Sequence, residues 1–164
     1  MTITDAFSNL MILECSNSTG SPPWGMEQKY FSGWLLGKGL EDISVNTASR
    51  EMAILFCEQE YWDPMLCAEI PSPLDFVVLQ AGYNCGQTNG ILFLQKALGV
   101  TEDGLIGPVT LHAAINSPVS ETIKGFLSFQ NSYYKKIENP SNEGWEGGWH
   151  KRVARTAKIV GVAL

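Results

Sequence analysis

The chain has 164 residues, 45% hydrophobic and 17% charged, which suits one domain with a real core and excludes a disordered segment. Seventeen acids against eleven bases leave a net charge of −6, so nucleic acid is a poor partner: phosphate binding needs a basic face. No run approaches the ~20 apolar residues of a membrane span, so no stable membrane insertion is expected.

The opening MTITDAFSNLMILEC has no basic n-region and carries Asp5 early, unlike a secretory signal. The protein is therefore expected in the cytoplasm when synthesised. Residues 4–14 fit a helix, because Phe7, Leu10, Met11 and Glu14 follow the i, i+3, i+4, i+7 pattern. Residues 15–25 read as loop, filled by Ser, Asn, Thr, Gly and Pro. Residues 26–36 fit either a helix or a short irregular wall, and GKG at 37–39 is a turn.

Thr47 is an expected N-cap for a helix reaching Tyr61, with Met52, Leu55 and Phe56 on its inner face. Pro64 disfavours helix at Asp63 and ends it. LDFVVLQAGYN from Leu74 is apolar nearly all round and predicts a buried central helix. Ile91, Leu94 and Leu98 continue with helical spacing up to Gly99. The loop TEDGLIGP ends on Pro108, suited to a first helical turn. Ser117-Pro118 opens a long amphipathic helix carrying Ile123, Phe126, Leu127, Gln130, Tyr134 and Ile137. EGWEGG at 143–148 reads as a link, and Trp149, Val153 and Val160 mark a last helix. The basic stretch HKRVARTAK reads as favourable charge on that helix. The pattern predicts a compact all-α domain of five to seven helices.

Cys15, Cys57, Cys67 and Cys85 form no C-x-x-C pair, and His112 and His150 lie far apart. Buried thiols are expected rather than a metal site. Three stretches could carry chemistry. Glu14 ends an apolar stripe: it is either a solvated helix end or a carboxyl held against apolar surface, where burial favours a proton donor. Cleavage of a glycoside needs such a donor and usually a second carboxylate. In EQEYWDP, Tyr61 and Trp62 offer flat faces for sugars or pack in the core, and Asp63 and Glu60 are candidate second carboxylates. In QAGYNCGQ, Asn84 can donate and accept, as an N-acetyl or hydroxyl group requires, or can simply end a helix; Gln80 and Tyr83 stand beside it.

Together these stretches resemble the glycoside hydrolase family 108 muramidases of phage endolysins and secretion activators. EMAILFCEQEYWDP looks like that family's helix ending in Tyr-Trp-Asp-Pro, and LDFVVLQAGYNCG like its central helix ending in Asn-x-Gly. LQKALGVTEDGLIGPVT is similar to its peptidoglycan-binding-like segment, and GWHKRV to its Gly-Trp-x-x-Arg. The resemblance implies a lysozyme-like domain spanning 1–164, with a catalytic half at 1–88 and a peptidoglycan-binding-like half at 89–164. It implies cleavage of the β-1,4 bond between N-acetylmuramic acid and N-acetylglucosamine in peptidoglycan glycan strands, without a cofactor. Glu14 falls at the family's general acid, Glu27 or Asp63 is left as the second carboxylate, and Trp24, Tyr61, Trp62, Gln80, Tyr83 and Asn84 are the expected substrate contacts.

The departures are local. Cys15 and Ser16 replace the family's Gly-Gly, the following loop is shorter and lacks its aspartate, and Gln80 stands where the central helix has an Asp. Two readings follow. One is an active lysin acting at the periplasm or cell wall, passed across the membrane by a holin or a secretion apparatus. The other is a lysin fold that has lost catalysis and binds glycan or a protein partner.

Overall fold

The computed structural model describes residues 1–14, 23–137 and 146–164. Cys15, Ser16 and the loop to Pro22 lie outside them, as do residues 138–145, which include the first part of the expected 143–148 link. Among the described residues the fold is all-α. Its helices are α1 (Ile3–Glu14), α2 (Gln28–Gly37), α3 (Arg50–Cys57), α4 (Leu74–Cys85), α5 (Gln87–Leu98), α6 (Pro108–Asn116), α7 (Val119–Ile137) and α8 (Glu146–Ile159). Eight helices stand where five to seven were expected. The ambiguous stretch at 26–36 supplies one of them: Phe31, Trp34 and Leu35 make a buried i, i+3, i+4 stripe.

The central helix α4 sets the architecture. Every residue from Leu74 to Gly82 is buried, so it has no solvent face. It packs against α1, α5 and α7, and α7 packs in turn on α8. Gly86, at φ 87, breaks the chain between α4 and α5 and lets them fold back on each other. The two helices close at Gly82 and Gly90, where a Cβ on Gly90 would sit 2.9 Å from the Gly82 backbone nitrogen. Gly90→Ala is therefore expected to lower stability by about 1–3 kcal/mol, the usual cost of overpacking. Thermal unfolding followed by circular dichroism checks this; an unchanged midpoint would contradict it.

The α3 region departs from its expected form. Thr47 closes a short 3-10 turn, and the cap is Ser49, whose Oγ accepts from the Met52 amide at 3.2 Å. The α-helix stops at Cys57 and gives way to a π turn over Glu58–Trp62, in which the Asp63 amide donates to the Glu58 carbonyl at 2.8 Å. The inner face carries Ala53, Phe56 and Cys57, while Leu55 points outward. No helix among the described residues is long and apolar enough to cross a membrane. Cys57 and Cys67 are buried free thiols, and burial pushes both thiols up.

Candidate active site

Glu14 is the last residue of α1, and the site is built around its carboxyl group. Its Oε1 lies 2.8 Å from Nη1 of Arg152 on α8, an ion pair whose angle departs from a hydrogen bond. The Arg152 side chain is 3% exposed and that of Glu14 is 18% exposed. The basic C-terminal stretch, expected as favourable charge on the last helix, thus turns this one residue into the interior. Arg152 also donates from Nε to Gln80 Oε1 at 3.1 Å and from Nη2 to the Gln80 carbonyl at 3.2 Å.

A buried polar chain continues from there. Gln80 Nε2 donates to Gln130 Oε1 at 2.9 Å, Gln130 Nε2 donates to Tyr134 Oη at 2.9 Å, and Tyr134 Oη donates to Asn84 Oδ1 at 2.7 Å. Trp149 stacks on Tyr134, with centroids 5.5 Å apart. These groups come from α1, α4, α7 and α8, so the network ties Glu14 to both ends of the chain. Buried polar groups need such mutual partners, because an unpaired one forfeits its solvation.

The other side of Glu14 is closed by the turn Pro23–Gly25. Gly25 has φ 68, and a Cβ there would lie 3.0 Å from Glu14 Oε2. Only glycine allows this approach. Trp24 also adopts a left-handed φ of 62, uncommon outside glycine. Two bonds hold it: Trp24 Nε1 donates to the Ala48 carbonyl at 3.1 Å, and Tyr83 Oη donates to the Trp24 carbonyl at 2.9 Å. Burial, with Cys57 and Glu14 nearby, keeps the Tyr83 phenol well above its usual range, so it stays a donor.

In front of this turn runs a cleft of about 720 Å³. One wall is α2, with Glu27 at its N-cap and Lys29, Tyr30, Trp34 and Lys38 along it. Gly33 and Gly37 keep that wall bare, since an added Cβ would meet nothing within 4 Å. The opposite wall carries Glu60, Tyr61, Tyr83, Asn84 and Gln87. Tyr61 and Tyr83 form its aromatic floor, with centroids 4.8 Å apart. Burial first, then Cys57, Glu60 and other groups, push the Tyr61 phenol up to about 12. A small recess lined by Gly25, Met26, Glu27, Tyr30, Phe56, Tyr61 and Tyr83 reaches inward from this region. Glu14 stands behind Gly25 and does not itself line the cleft.

The structure therefore brings Glu27, Tyr61, Tyr83 and Asn84 together on the cleft, with Trp24 and Glu14 just behind it. The remaining expected contacts lie elsewhere. Trp62 is 4% exposed and belongs to the core, because adjacent helical residues point apart and only Tyr61 can face the cleft. Gln80 is fully buried and serves Arg152 instead. Asp63 is exposed and outside the cleft lining. Arg152, Lys29 and Lys38 were not singled out from the sequence as site residues.

Residues 15–86 match the family described as Glycosyl hydrolase 108. Residues 89–154 match the Predicted Peptidoglycan domain. The chain is a glycosyl hydrolase 108 family protein. Its two matched segments support a peptidoglycan-related, lysozyme-like function. In this glycosyl hydrolase, Glu14 lies one residue before the matched segment. The fold is similar to the structure of Brucella abortus SagA, with a TM-score of 0.77 at 20% identity, over 96% of this chain and 94% of that one. That likeness carries the fold alone. No curated protein matches the sequence.

Proposed function

We propose that this glycosyl hydrolase is a muramidase that cuts the β-1,4 bond between N-acetylmuramic acid and N-acetylglucosamine, as a single domain with a catalytic half at 1–88 and a peptidoglycan-binding-like half at 89–164. The carrying observation is the carboxyl of Glu14, gripped by Arg152 at Oε1 and pressed by Oε2 against the Trp24-Gly25 turn behind the cleft. A glycan strand lies between α2 and the Tyr61–Tyr83 floor, where flat phenol faces suit sugar rings. Asn84 meets an N-acetyl or hydroxyl group at the cleft edge.

Glu14 acts as general acid. Oε1 stays with Arg152, and Oε2 carries the proton to the leaving glycosidic oxygen as the C–O bond breaks. Glu27, which lines both the cleft and its inner recess, is the second carboxylate that steadies the developing sugar cation or activates water. Arg152 is the positioning residue that fixes the Glu14 carboxyl plane. The protein acts at the cell wall and depends on a holin or a secretion apparatus for passage.

One observation favours a second reading, a lysin fold that binds without cutting. Glu14 is engaged by a buried arginine behind Gly25 and does not line the cleft in which a strand would lie. Incubation of the full chain with purified cell walls separates the two. The muramidase releases soluble reducing ends and clears the suspension. A binding module sediments with intact walls and releases none.

A further inference from the structure

Residues 1–88 hold eleven acids and only three bases, Lys29, Lys38 and Arg50. Arg50 is occupied elsewhere, donating to Ser8 Oγ at 2.8 Å and lying over the Phe7 ring. The other two both line the cleft. Each is exposed, and neither has a carboxylate within ion-pair distance among the described residues. Each lies over an aromatic ring of the same wall: Lys29 Nζ is 5.8 Å from the Tyr30 centroid, and Lys38 Nζ is 5.5 Å from that of Trp34. Lys29 lies in the first turn of α2 and Lys38 caps its end nine positions on, so they stand about 13 Å apart along the helix axis. The bare surface of Gly33 and Gly37 lies between them.

A strongly acidic half therefore carries its two cations free of ion pairs among the described residues on the wall of the cleft over Tyr61 and Tyr83. Glu27 and Glu60 on the same lining make the cleft neutral in sum, and both lie close enough to Tyr61 to raise its phenol. A neutral sugar chain needs stacking faces and hydrogen bonds but no cations. A chain bearing carboxylates needs charge compensation to enter an acidic protein at all. We infer that Lys29 and Lys38 bind carboxylates carried by the glycan strand, making the cleft selective for anionic, muramic-acid-containing strands over neutral N-acetylglucosamine chains. This rests on the reading of the cleft as the glycan site. The shared chemistry is a carboxylate on the lactyl ether, either the lactyl acid itself or the peptide attached to it.

Calorimetric titration of the full-length Glu14→Gln protein tests this without turnover. Three ligands of equal length serve: strands with stem peptides, the same strands after amidase removal of the peptides, and neutral chitooligosaccharides. The carboxylated strands are expected to bind about five- to tenfold tighter than chitooligosaccharides at low salt, a modest gain from two exposed contacts. That preference shrinks in high salt. The double variant Lys29→Gln, Lys38→Gln, altered only at exposed positions, erases the preference and leaves chitooligosaccharide affinity in place. Preference for intact over stripped strands assigns the carboxylates to the peptide; equal binding of the two assigns them to the lactyl acid. Equal affinity for all three ligands, or a preference surviving in the double variant, overturns the inference while the glycan cleft stands. Binding of none of them overturns the cleft reading and the inference with it.

Discussion

Glu14→Gln is expected to reduce release of reducing ends from purified cell walls by at least ~10²-fold, the range for loss of a positioned general acid. The substitution keeps the shape of the site. Glutamine keeps the length of the side chain and an oxygen for Arg152 Nη1, and it fits the space that Gly25 leaves open as glutamate does. What it removes is the proton that Oε2 would deliver. KM should stay within a few-fold, because the cleft walls of α2, Tyr61 and Tyr83 are untouched. A variant that releases reducing ends at the wild-type rate would take Glu14 out of the mechanism.

The second large effect belongs to Arg152. Arg152→Met is expected to lower folding stability by about 3–5 kcal/mol, since it strands the Glu14 carboxylate and takes one donor from Gln80 Oε1. For a chain of this size that is a drop of about 10 °C in the unfolding midpoint. Glu14→Gln alone leaves the cation buried beside neutral oxygens, so it too should destabilise, by less. The double variant should recover part of the loss, because removing a buried pair together costs less than orphaning one member. The more conservative Arg152→Lys keeps the charge but not the fork that reaches Glu14 and Gln80 at once. It should lower kcat with little change in KM, the signature of a misplaced acid rather than a lost binding contact. Denaturant melts of the wild type, Arg152→Met, Glu14→Gln and the double variant form a closed cycle, and steady-state kinetics check Arg152→Lys. Additive stability losses would show that Glu14 and Arg152 do not act as a pair.

The helices were legible where one face is apolar. The stripes of α1 and α7, the all-apolar run of α4 and the Pro108 start of α6 mark their own positions. The α3 region was not, because a π turn over Glu58–Trp62 moves every later side chain off the 3.6-residue phase. That shift, with the divergence of neighbouring side chains, sends Trp62 inward and leaves Tyr61 on the cleft. Gln80 was misplaced for a different reason. On a helix buried all round, periodicity cannot distinguish the side that faces a cleft from the side that faces another helix. Glu14 could be picked out from its phase on α1, but its partner could not. Arg152 sits in a run of bases whose neighbours Lys151 and Lys158 are exposed, and only the packing of α8 against α1 turns it inward. The same packing explains why a neutral Gln80 fits here: it accepts from Arg152 and leaves the arginine's charge to Glu14.

Cleavage between N-acetylmuramic acid and N-acetylglucosamine with Glu14 as acid leaves its mark on the new chain ends. Purified peptidoglycan is digested, the soluble products are reduced with borohydride, and mass spectrometry identifies the sugar at each reduced end. Reduced N-acetylmuramic acid is expected from the wild type and almost none from Glu14→Gln. Reduced N-acetylglucosamine ends, or walls left intact with the protein bound to them, would contradict it.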